Sequence, residues 1–181
     1  YDASTATFLL DSTQHDNQDI SLLGGYAVDF SSQQGDPTLT QLDGGNTRQI
    51  MKVEGQSGLD YSLTLENLTF ANGYEGSFGG GALAIISGTP GNFGAIEGHF
   101  TNVHFVNNVA GNTNNKRSGG AIIASTPLYI DHCYFYGNVA SSGGAAYLSS
   151  FPDGSLPDYV ITHSVFDSNS IYHWQGHILF V

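Results

Sequence analysis

The chain has 181 residues, of which 40% are hydrophobic and only 11% charged, with eleven Phe and ten Tyr. That composition can bury a core and excludes a disordered tail. Sixteen acidic residues stand against four basic ones, Arg48, Lys52, Lys116 and Arg117, for a formal net charge of −12, which excludes nucleic acid and direct insertion into an anionic membrane for want of a basic cluster. The single cysteine, Cys133, excludes intrachain disulfides and multi-cysteine metal sites, and no apolar run approaches the roughly 20 residues that span a bilayer.

The first apolar segment runs from Phe8 to Leu10 and is followed by a polar stretch, Asp11 to Asp19. Further short strands are expected from Ile20 to Leu23 and from Thr38 to Leu42, and these read as early, irregular coils. From residue 63 the chain becomes periodic. Phe70, Phe105, Phe135 and Phe166 recur at spacings of 35, 30 and 31 residues. Glycine pairs recur between them: Gly80, Gly81, Ala82, Leu83; Gly119, Gly120, Ala121, Ile122; Gly143, Gly144, Ala145, Ala146; and a worn copy from Gly176 to Leu179. Such pairs allow the turn with positive φ that bends a chain into its next strand. Length varies at 88–98, 111–118 and 150–158, where loops are expected.

Aligned on the phenylalanines, the flanking residues fall into columns. Leu65, Phe100, Ile130 and Ile161 lie five before, and Leu68, Val103, Cys133 and Ser164 two before; both columns should point inward. Between them Glu66, Thr101, Asp131 and Thr162 should face solvent, by the period of two of a strand. Asn67, Asn102, His132 and His163 lie three before, and Gly73, Asn108, Asn138 and Asn169 three after, as stacked polar ladders at the corners of a coil. Alternation by two from Ser62 to Phe70 and from Pro127 to Phe135 excludes an α-solenoid. The predicted fold is therefore all-β: a right-handed single-stranded parallel β-helix of about five to six coils, at ~30 residues per coil. It forms one domain over 1–181, irregular over 1–62 and regular over 63–181, and reads as a piece of a longer helix.

Phe-x-x-Asn, complete at Phe105/Asn108, Phe135/Asn138 and Phe166/Asn169, together with Gly-Gly-Ala-(Ile/Leu) at 80–83 and 119–122, resembles the repeat of the polymorphic outer-membrane protein family of autotransporter adhesins. The resemblance covers roughly residues 63 to 179; Phe70 departs from it, with Asn72 and then Gly73. It implies an exported β-helical surface protein and, for many relatives, adhesion.

Candidate chemistry is sparse. Asp131 and Glu66 share an outward column but sit two coils apart, roughly 10 Å, which suits a solvated face better than paired acid–base catalysis. Arg48 and Lys52 near Asp43 and Glu54 read as surface ion pairs. His132 and His163 are two potential metal ligands one coil apart, but the column continues as Asn67 and Asn102, which favours a ladder. His99 and His104 flank Phe100 on outward positions, and His173 and His177 bracket Trp174 without acidic company. Asp11, Asp16 and Asp19 offer oxygen ligands that would suit calcium, the one cofactor considered, without the glycine and terminal glutamate of an EF-hand. Asn67-Leu68-Thr69 is a glycosylation sequon on a ladder residue. Cys133 reads as a small buried hydrophobe, and Tyr129, Tyr134, Tyr136, Tyr147 and Tyr159 as potential stacking platforms for sugars.

The expected function is a non-catalytic extracellular or cell-surface module binding a glycan or protein ligand. One alternative is a fibre subunit stacking end to end, with Phe8–Leu10 and Ile178–Val181 as the pairing ends; another is a carbohydrate-active lyase or hydrolase.

Overall fold

A computed structural model describes residues 8–11, 18–55, 60–86, 96–150, 155–172 and 179–180. Strands account for nearly all regular structure among them. The chain lays down β1 (Phe8–Asp11), β2 (Ile20–Leu23) and β3 (Gln41–Asp43), then β4 (Met51–Glu54), β5 (Tyr61–Ala71) and β6 (Tyr74–Glu75). The next turn is β7 (Leu83–Ile86), β8 (Ile96–Val106) and β9 (Val109–Ala110). It is followed by β10 (Ile122–Ala124), β11 (Leu128–Asp131), β12 (Tyr134–Tyr136) and β13 (Val139–Ala140). Last come β14 (Ala146–Leu148), β15 (Tyr159–Thr162), β16 (Val165–Asp167), β17 (Ser170–Ile171) and β18 (Leu179–Phe180).

These strands stack in parallel into three sheets. The first is β1-β4-β7-β10-β14-β18, and the third, narrow one is β6-β9-β13-β17. The second and broadest places β2 and β3 against the two halves of β5, then β8, then β11 with β12, then β15 with β16. The protein is thus a parallel β-solenoid, as the repeat requires. Among the described residues its complete three-sided turns number about four rather than five to six: the first rung has no strand on the third sheet, and β18 contributes to the first sheet alone. Regular coiling also reaches back to Met51 in β4. Of the expected loop at 88–98, residues 88–95 lie outside the described set, whereas Ile96 to Gly98 belong to β8. Gly98 is strand because it pairs with Leu63 and Leu128 in the ladder, and the Leu128 side chain fills the place a Cβ would take.

Registry sets the core. Phe70, Phe105, Phe135 and Phe166 form one inward stack, with successive ring centroids 5.4, 4.9 and 4.6 Å apart and planes within 13° of parallel. The first three are fully buried, each contributing about 1.5–3 kcal/mol by leaving water. Leu65, Phe100 and Ile130 pack beside them, as do Leu68, Val103 and Cys133. Met51, Leu83, Ile122 and Ala146 face them from the first sheet.

The corners are left-handed. Asn67, Asn102, His132 and His163 have φ of 53°, 53°, 52° and 45°, bending the broad sheet between its halves. Asn72, Asn107, Gly137 and Ser168 do the same ahead of the third sheet, and Gly80, Gly119 and Gly143 ahead of the first. Asn and His tolerate this conformation better than most side chains, which is why they share a column.

Inside the next corner Asn108, Asn138 and Asn169 are buried and chained. Asn138 Oδ1 accepts from the Asn108 amide nitrogen and Nδ2, at 2.9 and 3.0 Å, while its own Nδ2 donates to Phe105 O and to Asn169 Oδ1, at 2.9 and 2.8 Å. Gly73 heads this column. A Cβ there would overlap the Gly81 carbonyl, so its amide simply donates to Asn108 Oδ1 at 2.8 Å.

Candidate functional site on the outward face of the broad sheet

Between β2 and β3 the chain leaves the coil and returns, over residues 24–40. A 3-10 turn at Pro37–Leu39, capped by Asp36 accepting from Thr38 N at 2.9 Å, closes this excursion against the outward face of the broad sheet. Thr69 Oγ1 donates to Pro37 O at 2.9 Å and Asn102 Nδ2 to Gly35 O at 2.7 Å. Thr69 and Asn67 are thereby buried, although both lie on the outer side of the coil. His104 becomes half-buried, and loss of water holds its pKa below the usual histidine value against the opposing pull of Asp36. The excursion's tip exposes Val28 and Phe30, the latter at φ 57°.

Beyond the excursion the face is open. Pleating and register build three outward columns: Thr64, His99, Tyr129, Val160; Thr69, His104, Tyr134, Val165; and Ala71, Val106, Tyr136, Asp167. His99 stacks on Tyr129 with centroids 4.9 Å apart and pairs with Glu97 at 3.2 Å. His104 meets Tyr134 edge-on, and Tyr134 lies 5.8 Å from Tyr136. Tyr136, Val160 and Val165 are 38%, 42% and 54% exposed, an apolar strip on a rigid support.

At the corner beside this strip stand Asp131, His132 and His163. Asp131 pairs with Thr162 across the β11–β15 rungs and accepts from its hydroxyl at 2.7 Å. His132 Nδ1 lies 2.9 Å from Asp131 Oδ2 and His163 Nδ1 2.9 Å from Oδ1. The imidazoles stack with centroids 4.7 Å apart. Hydrogen bonds from Thr162 first, then His163 and His132, hold the Asp131 carboxyl well below the usual carboxylate range. Donor atoms from the three residues lie within 4.8 Å of one another, enough to face one ion. Strand alternation alone would send Asp131 and His132 to opposite sides. The left-handed φ at His132 breaks the alternation and turns both outward.

The other sequence candidates fall elsewhere. Asn67 bonds Glu66 Oε1 at 2.9 Å and accepts from Asn102 Nδ2 at 2.7 Å, so the sequon asparagine is engaged as well as buried. Lys52 pairs with Glu54. Asp19 accepts from the Ser62 amide at 2.8 Å, a bond that lowers its pKa; Asp11 ends β1 in register with Glu54, and Asp16 lies outside the described residues. His173, Trp174 and His177 lie outside them too. Cys133 is buried, its thiol pushed up to about 11 by loss of water, which fits packing and not nucleophilic chemistry. Tyr159 points inward and donates to Ser149 O at 2.6 Å, so it is no outward platform.

The fold places this protein in the class of parallel β-solenoids. No family model, no curated protein and no solved structure matches the chain.

Proposed function

We propose that the chain is a non-catalytic module of an exported or cell-surface protein, adhesin-like in role, which binds a neutral glycan or a protein through the outward face of the broad sheet. The observation that carries this reading is the exposed strip of Tyr136, Val160 and Val165, with the half-buried Tyr134 ring beside it, held by a sheet whose other side is a close-packed core. Aromatic rings on a rigid support present large apolar area at low entropic cost, and they suit sugar faces and protein anchors alike. The net charge of −12 favours neutral or cationic partners. The corner motifs and their resemblance to adhesin repeats point the same way.

A non-catalytic role accords with the acids on this face. Glu66 and Asp131 stand two rungs apart, roughly 10 Å, and each carboxylate is engaged by a neighbouring corner side chain. A glycan and matrix-protein array probed with the chain tests the proposal. Binding to a ligand that weakens at least about tenfold in Tyr134→Ala and Tyr136→Ser, with unchanged melting temperature, is expected from loss of anchoring rings. Binding indifferent to both substitutions, or no binding across the array, would sink it.

A second reading, end-to-end assembly, rests on the final rung described. Ile161 and Phe166 are only partly buried there, whereas their column mates Ile130 and Phe135 are fully packed. Sedimentation velocity of the chain separates the two, because stacking gives a concentration-dependent series of species.

A further inference from the structure

We propose that Asp131, His132 and His163 form a binding site for one divalent transition-metal ion of the imidazole-preferring class, such as zinc, copper or nickel. The site is independent of whatever the neighbouring strip binds. Two nitrogens and a carboxylate oxygen are the donor set that such ions favour, whereas calcium takes six to eight oxygens. Bonds of about 2.0–2.1 Å to a tetrahedral ion require donor atoms about 3.4 Å apart. The Asp131 oxygens already lie 2.9 Å from each Nδ1, and all three donors lie within 4.8 Å, so small rotations about the side-chain torsions suffice.

Backbone features fix the arrangement. Asp131 and Thr162 are in register across two rungs, and both histidines sit at left-handed corners that aim neighbouring side chains to one side. The Thr162 hydroxyl donates to Oδ1, the oxygen that faces His163, and so helps orient the carboxylate, the kind of support that metal-binding carboxylates receive. Access is open: the His132 and His163 side chains are 62% and 69% exposed, leaving room for water in the remaining coordination positions. In the ion-free protein each Nδ1 faces an Asp131 oxygen, and an ion bound at Nδ1 leaves each neutral ring with its one proton on Nε2.

The bland alternative is that histidine merely fills a corner slot. Asn67 and Asn102 fill the same slot on the two rungs below, where Asn102 Nδ2 donates a hydrogen bond to Asn67 Oδ1. An acid beside the slot is not distinctive either, because Glu66 stands beside Asn67. What the slot does not require is two histidines on consecutive rungs with one carboxylate between them. The other described histidines are engaged separately, His99 with Glu97 and Tyr129, and His104 with Tyr134 beneath the excursion.

Titration calorimetry of the full chain with zinc chloride tests the site, with histidine ring resonances followed by NMR as nickel chloride is added. Each of His132→Asn and His163→Asn restores the residue that the column carries elsewhere. One equivalent of zinc should bind, weakened about tenfold or more in either variant and lost in the double variant. Substoichiometric nickel should broaden the His132 and His163 signals first. Asp131→Thr, which restores the residue found in its own column at Thr101 and Thr162, is the second variant should the double one fold poorly, and it too should weaken zinc binding. Persistence of the same single-equivalent binding in the double variant, or no wild-type binding tighter than about 1 mM, overturns the proposal.

Discussion

Asn138 makes four hydrogen bonds with one buried amide, two accepted from Asn108 and two donated, to Phe105 O and Asn169 Oδ1. Truncating it leaves the Asn108 backbone N–H without a partner in a dry corner, at about 1–3 kcal/mol, and takes one of their hydrogen bonds from Asn108 Nδ2 and from Phe105 O. Asn138→Ala should therefore lower stability by about 3 kcal/mol in urea unfolding. Cys133 gives a chemical readout of the same interior. Its thiol, raised to about 11 by burial, should resist alkylation at pH 8 in the native chain and react once the chain unfolds. A raised folded-state pKa stabilises fully below the unfolded-state value near 9, and that contribution is lost as pH climbs from there through about 11. Cys133→Ala should flatten this alkaline part of the stability profile, measured by thermal melts across the range.

Corners, more than strands, decide where side chains meet. Gly120 packs so closely that a Cβ would overlap the Gly144 carbonyl and lie 2.7 Å from the Val139 nitrogen, whereas Gly35, on the excursion, has nothing within 4 Å. Gly120→Ala should cost about 3 kcal/mol or more by displacing neighbouring backbone. Gly35→Ala should cost only the about 1–2 kcal/mol of placing a side chain at φ 69°. Thermal denaturation of both proteins checks the order. The strands were legible in the sequence because inward Phe, Leu and Ile repeat at fixed offsets, and the Gly-Gly pairs betray turns by residue type. The grouping of Asp131 with His132 was not legible. A period of two assigns consecutive residues to opposite faces, and only the left-handed backbone between them cancels that rule. The cover over residues 24–40 was equally hidden, since it is held by contacts such as those from Asn102 to Gly35 O and Thr69 to Pro37 O, which leave no periodic trace.

Across the whole molecule each rung touches chiefly the rungs above and below it, so stability is a sum over neighbours and the ends open before the middle. Amides of β7, β8 and β10 should exchange slowest, and those of β2, β3 and β15 to β17 fastest, because these outer strands pair on one side only among the described residues. Hydrogen exchange resolved by mass spectrometry measures the gradient, and uniform protection along the chain would contradict it. The charge of −12 spread along such a stack leaves its solubility to the outer columns, while the folding energy comes from the inner ones.

The bend between the two halves of the broad sheet selects its residues by their tolerance of left-handed backbone, which an amide and an imidazole side chain both provide. Asparagine and histidine occupy it in turn at φ between 45° and 53°, and asparagine, glycine and serine share the corner that follows. Such a slot can exchange an amide for an imidazole while the coil keeps its shape. New recognition chemistry can thus arise along this edge one codon at a time, without a intermediate that fails to fold.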